Sequence, residues 1–152
     1  MKTIKFEIVT PEKIILKETI RQITVPTKDG EITVLPDHTP LVAGLKPGIL
    51  HVVKENGEPE LISVSGGFIE VLKSKIVILA DTAERAYEID LDRAEESYRR
   101  AEELKQKMER TDREQFVEVA AQIEKELARV KAVHRWRKLR PEFPSKKEED
   151  NK

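Results

Sequence analysis

The chain has 152 residues, 38% of them hydrophobic and 38% charged, which means a modest core beneath a large solvated surface: one ordinary domain, or a small domain with an appendage. Net charge is −1, so no overall field draws the chain to nucleic acid or to an anionic membrane. Cysteine is absent, which excludes disulfides, thiolate metal sites and a cysteine nucleophile.

From the start of the chain, Ile4, Phe6 and Ile8 alternate with Lys5 and Glu7, the period of a half-buried strand. Further strands are expected over Ile14–Leu16, Ile20–Val25, Glu31–Leu35, Ile49–Lys54, Glu60–Val64, Phe68–Leu72 and Lys75–Leu79, because these stretches are rich in β-branched residues. Turn signals separate them: Lys28-Asp29-Gly30, Pro36-Asp37-His38, Lys46-Pro47-Gly48, Asn56-Gly57 and Gly66-Gly67. The last pair lies between two strands. It therefore reads as a tight turn or bulge with positive φ, not as a phosphate loop opening a helix. Many short strands without a helix between them argue for an antiparallel sandwich or barrel.

Beyond Tyr87 the character changes. All six glycines precede it, and no glycine or proline occurs between Tyr87 and Arg140. Leu91, Ala94, Tyr98, Ala101, Leu104 and Met108 fall at helical spacing, and so do Phe116, Val119, Ala120, Ile123, Leu127 and Val130. Asp90 suits the N-cap of the first helix, with Asp92 in its first turn. Thr111 followed by Glu114 has the form of a capping box and is expected to start the second helix. A link of about Glu109 to Thr111 forces the two helices to fold back on each other. The whole reads as an α+β chain: an N-terminal antiparallel β-sandwich or barrel over residues 1–86, a C-terminal antiparallel two-helix hairpin over 87–140, and a disordered charged tail over 141–152.

The hairpin is rich in alanine (Ala94, Ala101, Ala120, Ala121, Ala128, Ala132), and small side chains bury little area. Composition alone fits both a detachable arm, whose population a ligand could shift, and a permanently docked, highly charged hairpin.

The sequence offers no catalytic constellation. His38, His51 and His134 lie on three different elements, without the spacing of a zinc site. No nucleophile elbow surrounds Ser63 or Ser65, and Asp37-His38 reads as a turn. No catalytic residue and no metal ligand is assigned. No apolar run reaches the roughly 18 residues of a membrane span, and no apolar leader follows Met1, so any membrane link is expected to run through partners. The sharpest polar feature is the end of the second helix, where Arg129, Lys131, Arg135, Arg137, Lys138 and Arg140 surround His134 and Trp136 with no acid among them. Three readings fit: cations complementing the helix dipole, nucleic-acid binding, and contact with an acidic patch on a protein partner.

The stretch VPTKDGEITVLPDHTPLVAGLKPGIL, then VSGGFIEV, then ILADTAE, resembles the epsilon subunit of F-type ATP synthases, of the bacterial type. The resemblance covers residues 1 to about 140 and rests most on Leu35-Pro36-x-His38-x-Pro40 and Gly66-Gly67-Phe68-x-Glu70-Val71; Thr33 stands where the family often has glycine. It implies a non-catalytic central-stalk subunit of a proton-translocating synthase. Such a sandwich would bind the gamma subunit and rest near the c-subunit ring, on the cytoplasmic face of the cell membrane, with no nucleic acid and no direct membrane insertion. The helical arm would inhibit ATP hydrolysis by extending toward the alpha and beta catalytic subunits. Lys131, Arg135, Arg137, Lys138 and Arg140 would then face an acidic segment of a beta subunit. No cofactor is required, but some bacterial members bind ATP as a regulatory ligand through Ile/Leu-Asp-x-x-Arg-Ala. That motif is met here by Ile89, Asp90, Arg93 and Ala94, with Arg129 as the matching arginine of the second helix; a further family arginine falls on Val133. The alternative reading is a free-standing nucleotide-sensing β-sandwich, which predicts tight ATP binding with no partner present.

Overall fold

In the computed structural model, residues 1–108 and 112–141 are described. Nine strands come first: β1 (Ile4–Val9), β2 (Ile14–Thr27), β3 (Gly30–Val34), β4 (Leu41–Leu45), β5 (Gly48–Lys54), β6 (Pro59–Val64), β7 (Gly67–Val71), β8 (Lys75–Ala80) and β9 (Ala83–Arg85). A 3-10 turn (Ala86–Glu88) leads into α1 (Leu91–Lys107), and α2 (Arg113–Leu139) follows.

The strands run in the order β1-β8-β7-β4-β2-β5-β6-β9, with β3 attached to β2 and β1 also paired to β2. The long strand β2 thus belongs to both layers and curls one sheet into a flattened, barrel-like sandwich. Neighbours are antiparallel except β1 and β8, which run parallel from Lys5↔Lys75 to Val9↔Leu79. Alternation fills the interior: Phe6, Ile8, Ile20, Ile23, Leu50, Val52, Ile62, Ile69, Ile76 and Ile78 are all buried in one cluster.

Three departures from the sequence reading concern the strands. The expected strands over Ile14–Leu16 and Ile20–Val25 are one strand, because Lys17, Glu18 and Thr19 continue the ladder against Glu7, Phe6 and Lys5. The segment Leu41–Leu45 is β4, held by pairing to β7 although proline and glycine flank and interrupt it. The three residues Ala83–Arg85 form β9 only because β6 offers them a free edge. At the glycine pair, φ is +125° at Gly66 and +135° at Gly67, as the turn reading requires.

The helices pack antiparallel: Lys105 near the end of α1 lies over the ring of Phe116 at the start of α2, and His134 near the end of α2 lies 3.9 Å from Glu95. Asp90 caps α1, its carboxylate accepting from the Arg93 backbone N–H. The expected start at Thr111 lies outside the described residues; the observed N-cap of α2 is Asp112, accepting from Gln115 N, so the helix begins at Arg113. The tail reading over 141–152 lies, Pro141 apart, outside the described residues. Among the described residues no helix is long and apolar enough to cross a membrane.

Candidate functional site at the seam between sandwich and arm

The two outer faces of the sandwich differ. On the β5-β6-β9 layer, Ile49, Leu61, Ser63 and Glu84 point outward, since Ile49 pairs with Ser63 and Ser63 with Glu84. The C-terminal half of α2 covers this face. Leu61, Ala86, Ile89, Leu91, Ala94, Ala132, Val133 and Trp136 form a buried cluster, with Ile49 and Val130 against it. No residue is shared between this cluster and the interior of the sandwich. The arm is therefore an added layer rather than a part of the β core.

Polar contacts frame the apolar seam. Arg129 lies with Nε 3.0 Å from Glu84 Oε1, and its Nη2 donates to Glu84 Oε2 at 3.2 Å. Its Nη1 donates to Glu126 at 2.8 Å, and Gln122 donates to the same carboxylate at 2.9 Å. Burial works against the charge on Arg129, but hydrogen bonding to Glu126 and the field of Glu84 outweigh it and raise the pKa above the ordinary arginine value. Glu126 is 3% exposed, yet it is satisfied, which explains a carboxylate on a buried helix face.

At the far end of the seam, Trp136 sits against Tyr87 with ring centroids 6.1 Å apart at 42°. Arg140 lies over the Trp136 ring at 5.9 Å and 3.8 Å from Glu58. Tyr87 Oη accepts from Arg85 at 3.1 Å, and Arg85 lies 3.3 Å from Glu60. Glu60 is 2% exposed and faces the sandwich interior between Arg85 and Lys54, 3.2 Å away. An ion cluster closing the end of the barrel is thus linked through Tyr87 to the arm.

The sequence-derived residues fall into place unequally. Ile89 and Ala94 are fully buried in the seam, Asp90 is occupied as N-cap, Arg93 is exposed, and Arg129 is engaged with Glu84 and Glu126. Val133 is fully buried. Of the cations assigned to partner contact, Lys131, Arg135 and Lys138 are exposed, whereas Arg137 and Arg140 are half-buried and engaged within the chain. The expected helix–helix stripe holds at Leu91, Ala94, Ala101 and Val119, but Leu104 remains 48% exposed and Ala121 lies outside the seam. A cleft of about 260 Å³ lined by Ser97, Ala101, Leu104 and Val119 marks loose packing in the distal half of the hairpin. Nothing in the sequence reading assigns Glu84, Glu126 or Tyr87 a functional role. Strand alternation through Ala83-Glu84-Arg85 does signal that Glu84 points opposite to its neighbours, but not what it meets.

The opposite face is open. On β4, β7 and β8, Val42 (69% exposed), Phe68 (55%) and Leu79 (52%) project outward, with Phe68 paired between Gly44 and Leu79. Three large apolar side chains on contiguous strands form a patch of the kind that partners cover.

A family model described as the ATP synthase, Delta/Epsilon chain, beta-sandwich domain, matches residues 3–86. The chain is 50% identical over 102 residues to the ATP synthase epsilon chain of Desulforamulus reducens, covering 67% of this chain and 76% of that one. It is 53% identical over 94 residues to the epsilon chain of Chloroflexus aggregans, covering 62% of this chain and 67% of that one. Among solved structures, a chain from the Euglena gracilis mitochondrial ATP synthase, determined with OSCP, F1 and c-ring, superimposes with a TM-score of 0.69 at 31% identity over 82% of this chain and 79% of that one. A chain of the Tetrahymena thermophila mitochondrial ATP synthase, central stalk and c-ring, shares the fold with a TM-score of 0.55 at 13% identity, over 87% of this chain and 97% of that one. The sandwich match, together with half-identity to bacterial relatives, shows that the chain belongs to the ATP synthase delta/epsilon chain family, as an epsilon-type and therefore non-catalytic subunit.

Proposed function

We propose that the chain is a central-stalk subunit of a proton-translocating ATP synthase, and that its helical arm restrains ATP hydrolysis when it leaves the sandwich. The sandwich is the fixed part. Its open β4-β7-β8 face, with Val42, Phe68 and Leu79, supplies a docking surface for the gamma subunit, and the assembly holds the chain beside the c-subunit ring at the cytoplasmic face of the membrane. The arm is the movable part. Extended toward the alpha and beta subunits, it presents Lys131, Arg135, Arg137, Lys138 and Arg140 to an acidic surface and obstructs rotation sterically and electrostatically.

The observation that carries this reading is the separation of the two apolar clusters. An arm that shares no residue with the interior of the sandwich can leave while the sandwich keeps its core. ATP is a further proposed ligand, to be held by Ile89, Asp90, Arg93, Ala94 and Arg129. The test is ATP hydrolysis by the cognate catalytic complex with either the full chain or a chain ending at Glu88. The full chain lowers the rate and the short one does not; equal inhibition by both overturns the arm mechanism.

A further inference from the structure

We infer that the arm is closed onto the sandwich by a two-point arginine clamp, Glu84–Arg129 and Glu58–Arg140, which needs no ligand and draws on cations of the same basic segment that the inhibitory state uses. The last clause rests on the inhibitory reading above; the clamp itself does not.

Glu84 and Glu58 belong to the sandwich, and Arg129 and Arg140 to the arm. The pairs His134–Glu95 and Arg129–Glu126, by contrast, lie within the hairpin and move with it. The two arginines stand eleven positions apart, about 16 Å along a helix axis. Between them lie Ala132, Val133 and Trp136, the apolar part of the seam. The clamp thus holds both ends of one patch, closely at Glu84 and more loosely at Glu58, 3.8 Å from Arg140, which fixes register and tilt as a single point could not.

Arginine suits this task because its planar fork meets both oxygens of a carboxylate. Arg129 brings Nε to 3.0 Å from one oxygen of Glu84 and donates from Nη2 to the other at 3.2 Å; the Nε contact is an ion pair without hydrogen-bond alignment. Glu126, itself held by Gln122, accepts from Nη1 of the guanidinium, so the fork is oriented before the arm closes. Side-chain exposure at the pair is 18% for Arg129 and 37% for Glu84, a seam wet enough for added salt to weaken the attraction and dry enough for the attraction to matter. The alanines of the seam contribute little area, so Leu61, Val133 and Trp136 carry most of its apolar hold and the charge pairs add a part that salt can weaken.

The consequence is a competition. When the arm is down, Arg129 and Arg140 face the chain's own carboxylates; when it is out, they are free to face those of a partner. Neutralising Glu84 or Glu58 therefore releases the arm and leaves its basic end intact, whereas neutralising Arg129 releases the arm and weakens the basic end.

The test uses the full chain, in which Trp136 is the sole tryptophan and sits in the seam. Its emission reports the docked state, and hydrogen exchange of the C-terminal half of α2 reports it independently. In nucleotide-free buffer the emission is that of a buried indole, and it shifts to the red as salt rises. Glu84→Gln and Glu58→Gln together raise the released fraction about tenfold, the coupling expected of contacting charge pairs. Arg129→Lys, which keeps the charge and loses the fork, falls between. Circular dichroism verifies that the sandwich stays folded. Emission and exchange unchanged in the doubly neutralised chain, or docking that appears only when ATP is added, overturn the clamp. If the double variant loosens the arm yet does not strengthen inhibition of the cognate complex, the clamp stands and the inhibitory reading falls.

Discussion

Replacing Trp136 with alanine isolates the docking of the arm from the stability of the sandwich. A buried tryptophan removes about 150–250 Å² from water, and at about 25 cal/mol per Å² this is an upper value of roughly 4–6 kcal/mol. Because a released arm keeps part of that surface covered, the working value falls by about 10–40%, to about 2.5–5.5 kcal/mol. Loss of the tilted contact with Tyr87 acts in the same direction. With each 1.4 kcal/mol worth about tenfold, the docking equilibrium drops by about two to four orders of magnitude. The sandwich interior is untouched, since its cluster does not include Trp136. Hydrogen exchange read residue by residue distinguishes the two: amides around Ala132 and Val133 lose their protection, while those of Ile8, Ile23 and Ile69 keep it. If protection falls uniformly in both parts, arm and sandwich form one cooperative unit, and the reasoning from separate clusters is refuted.

Two further perturbations probe the sandwich. A Cβ placed on Gly67 would come within 2.0 Å of the Leu79 carbonyl oxygen at a φ of +135°, whereas one on Gly30, at +124°, meets nothing within 4 Å. Gly30→Ala therefore carries only backbone strain, about 1 kcal/mol, and Gly67→Ala costs about 3 kcal/mol or more as β7 and β8 are forced apart; equal denaturation midpoints for the two variants contradict this. Glu7 is held below the ordinary glutamate pKa by its hydrogen bond to Lys75 at 2.7 Å, burial opposing the shift and the charges of Lys75 and Lys17 supporting it. A depressed carboxylate contributes stability that is present above its unfolded-state pKa and is lost as pH falls through the folded one. The stability gap between the parent chain and Glu7→Gln in urea is accordingly larger at neutral pH than near pH 3, and a gap that widens on acidification reverses the assignment.

Much of the fold was legible without coordinates because its signals are local. Alternation at Ile4, Phe6 and Ile8 sets which side faces the core, Gly66-Gly67 marks a turn that favours positive φ, and Asp90 precedes a helical period it then caps. Strands that depend on a neighbour were less visible. Leu41–Leu45 and Ala83–Arg85 lack strong β character and extend only because β7 and β6 offer edges to pair with. Lys17-Glu18-Thr19 looks like a break because polar residues interrupt the apolar run, yet the ladder against β1 carries the backbone through.

The site divides along the same line. A sandwich, a glycine-free pair of helices and a basic end to the second can all be read from the order of residues, because turn chemistry, hydrophobic period and charge are properties of neighbouring residues. That Arg129 meets Glu84, that Arg140 meets Glu58, and that Trp136 closes the seam over Leu61 and Tyr87 emerges from the packing of the folded chain. Those pairings join residues up to 82 positions apart, between Glu58 and Arg140. They follow from how a helix lies on a sheet, and a helical or strand period fixes which side of an element is apolar without naming the surface that side will meet.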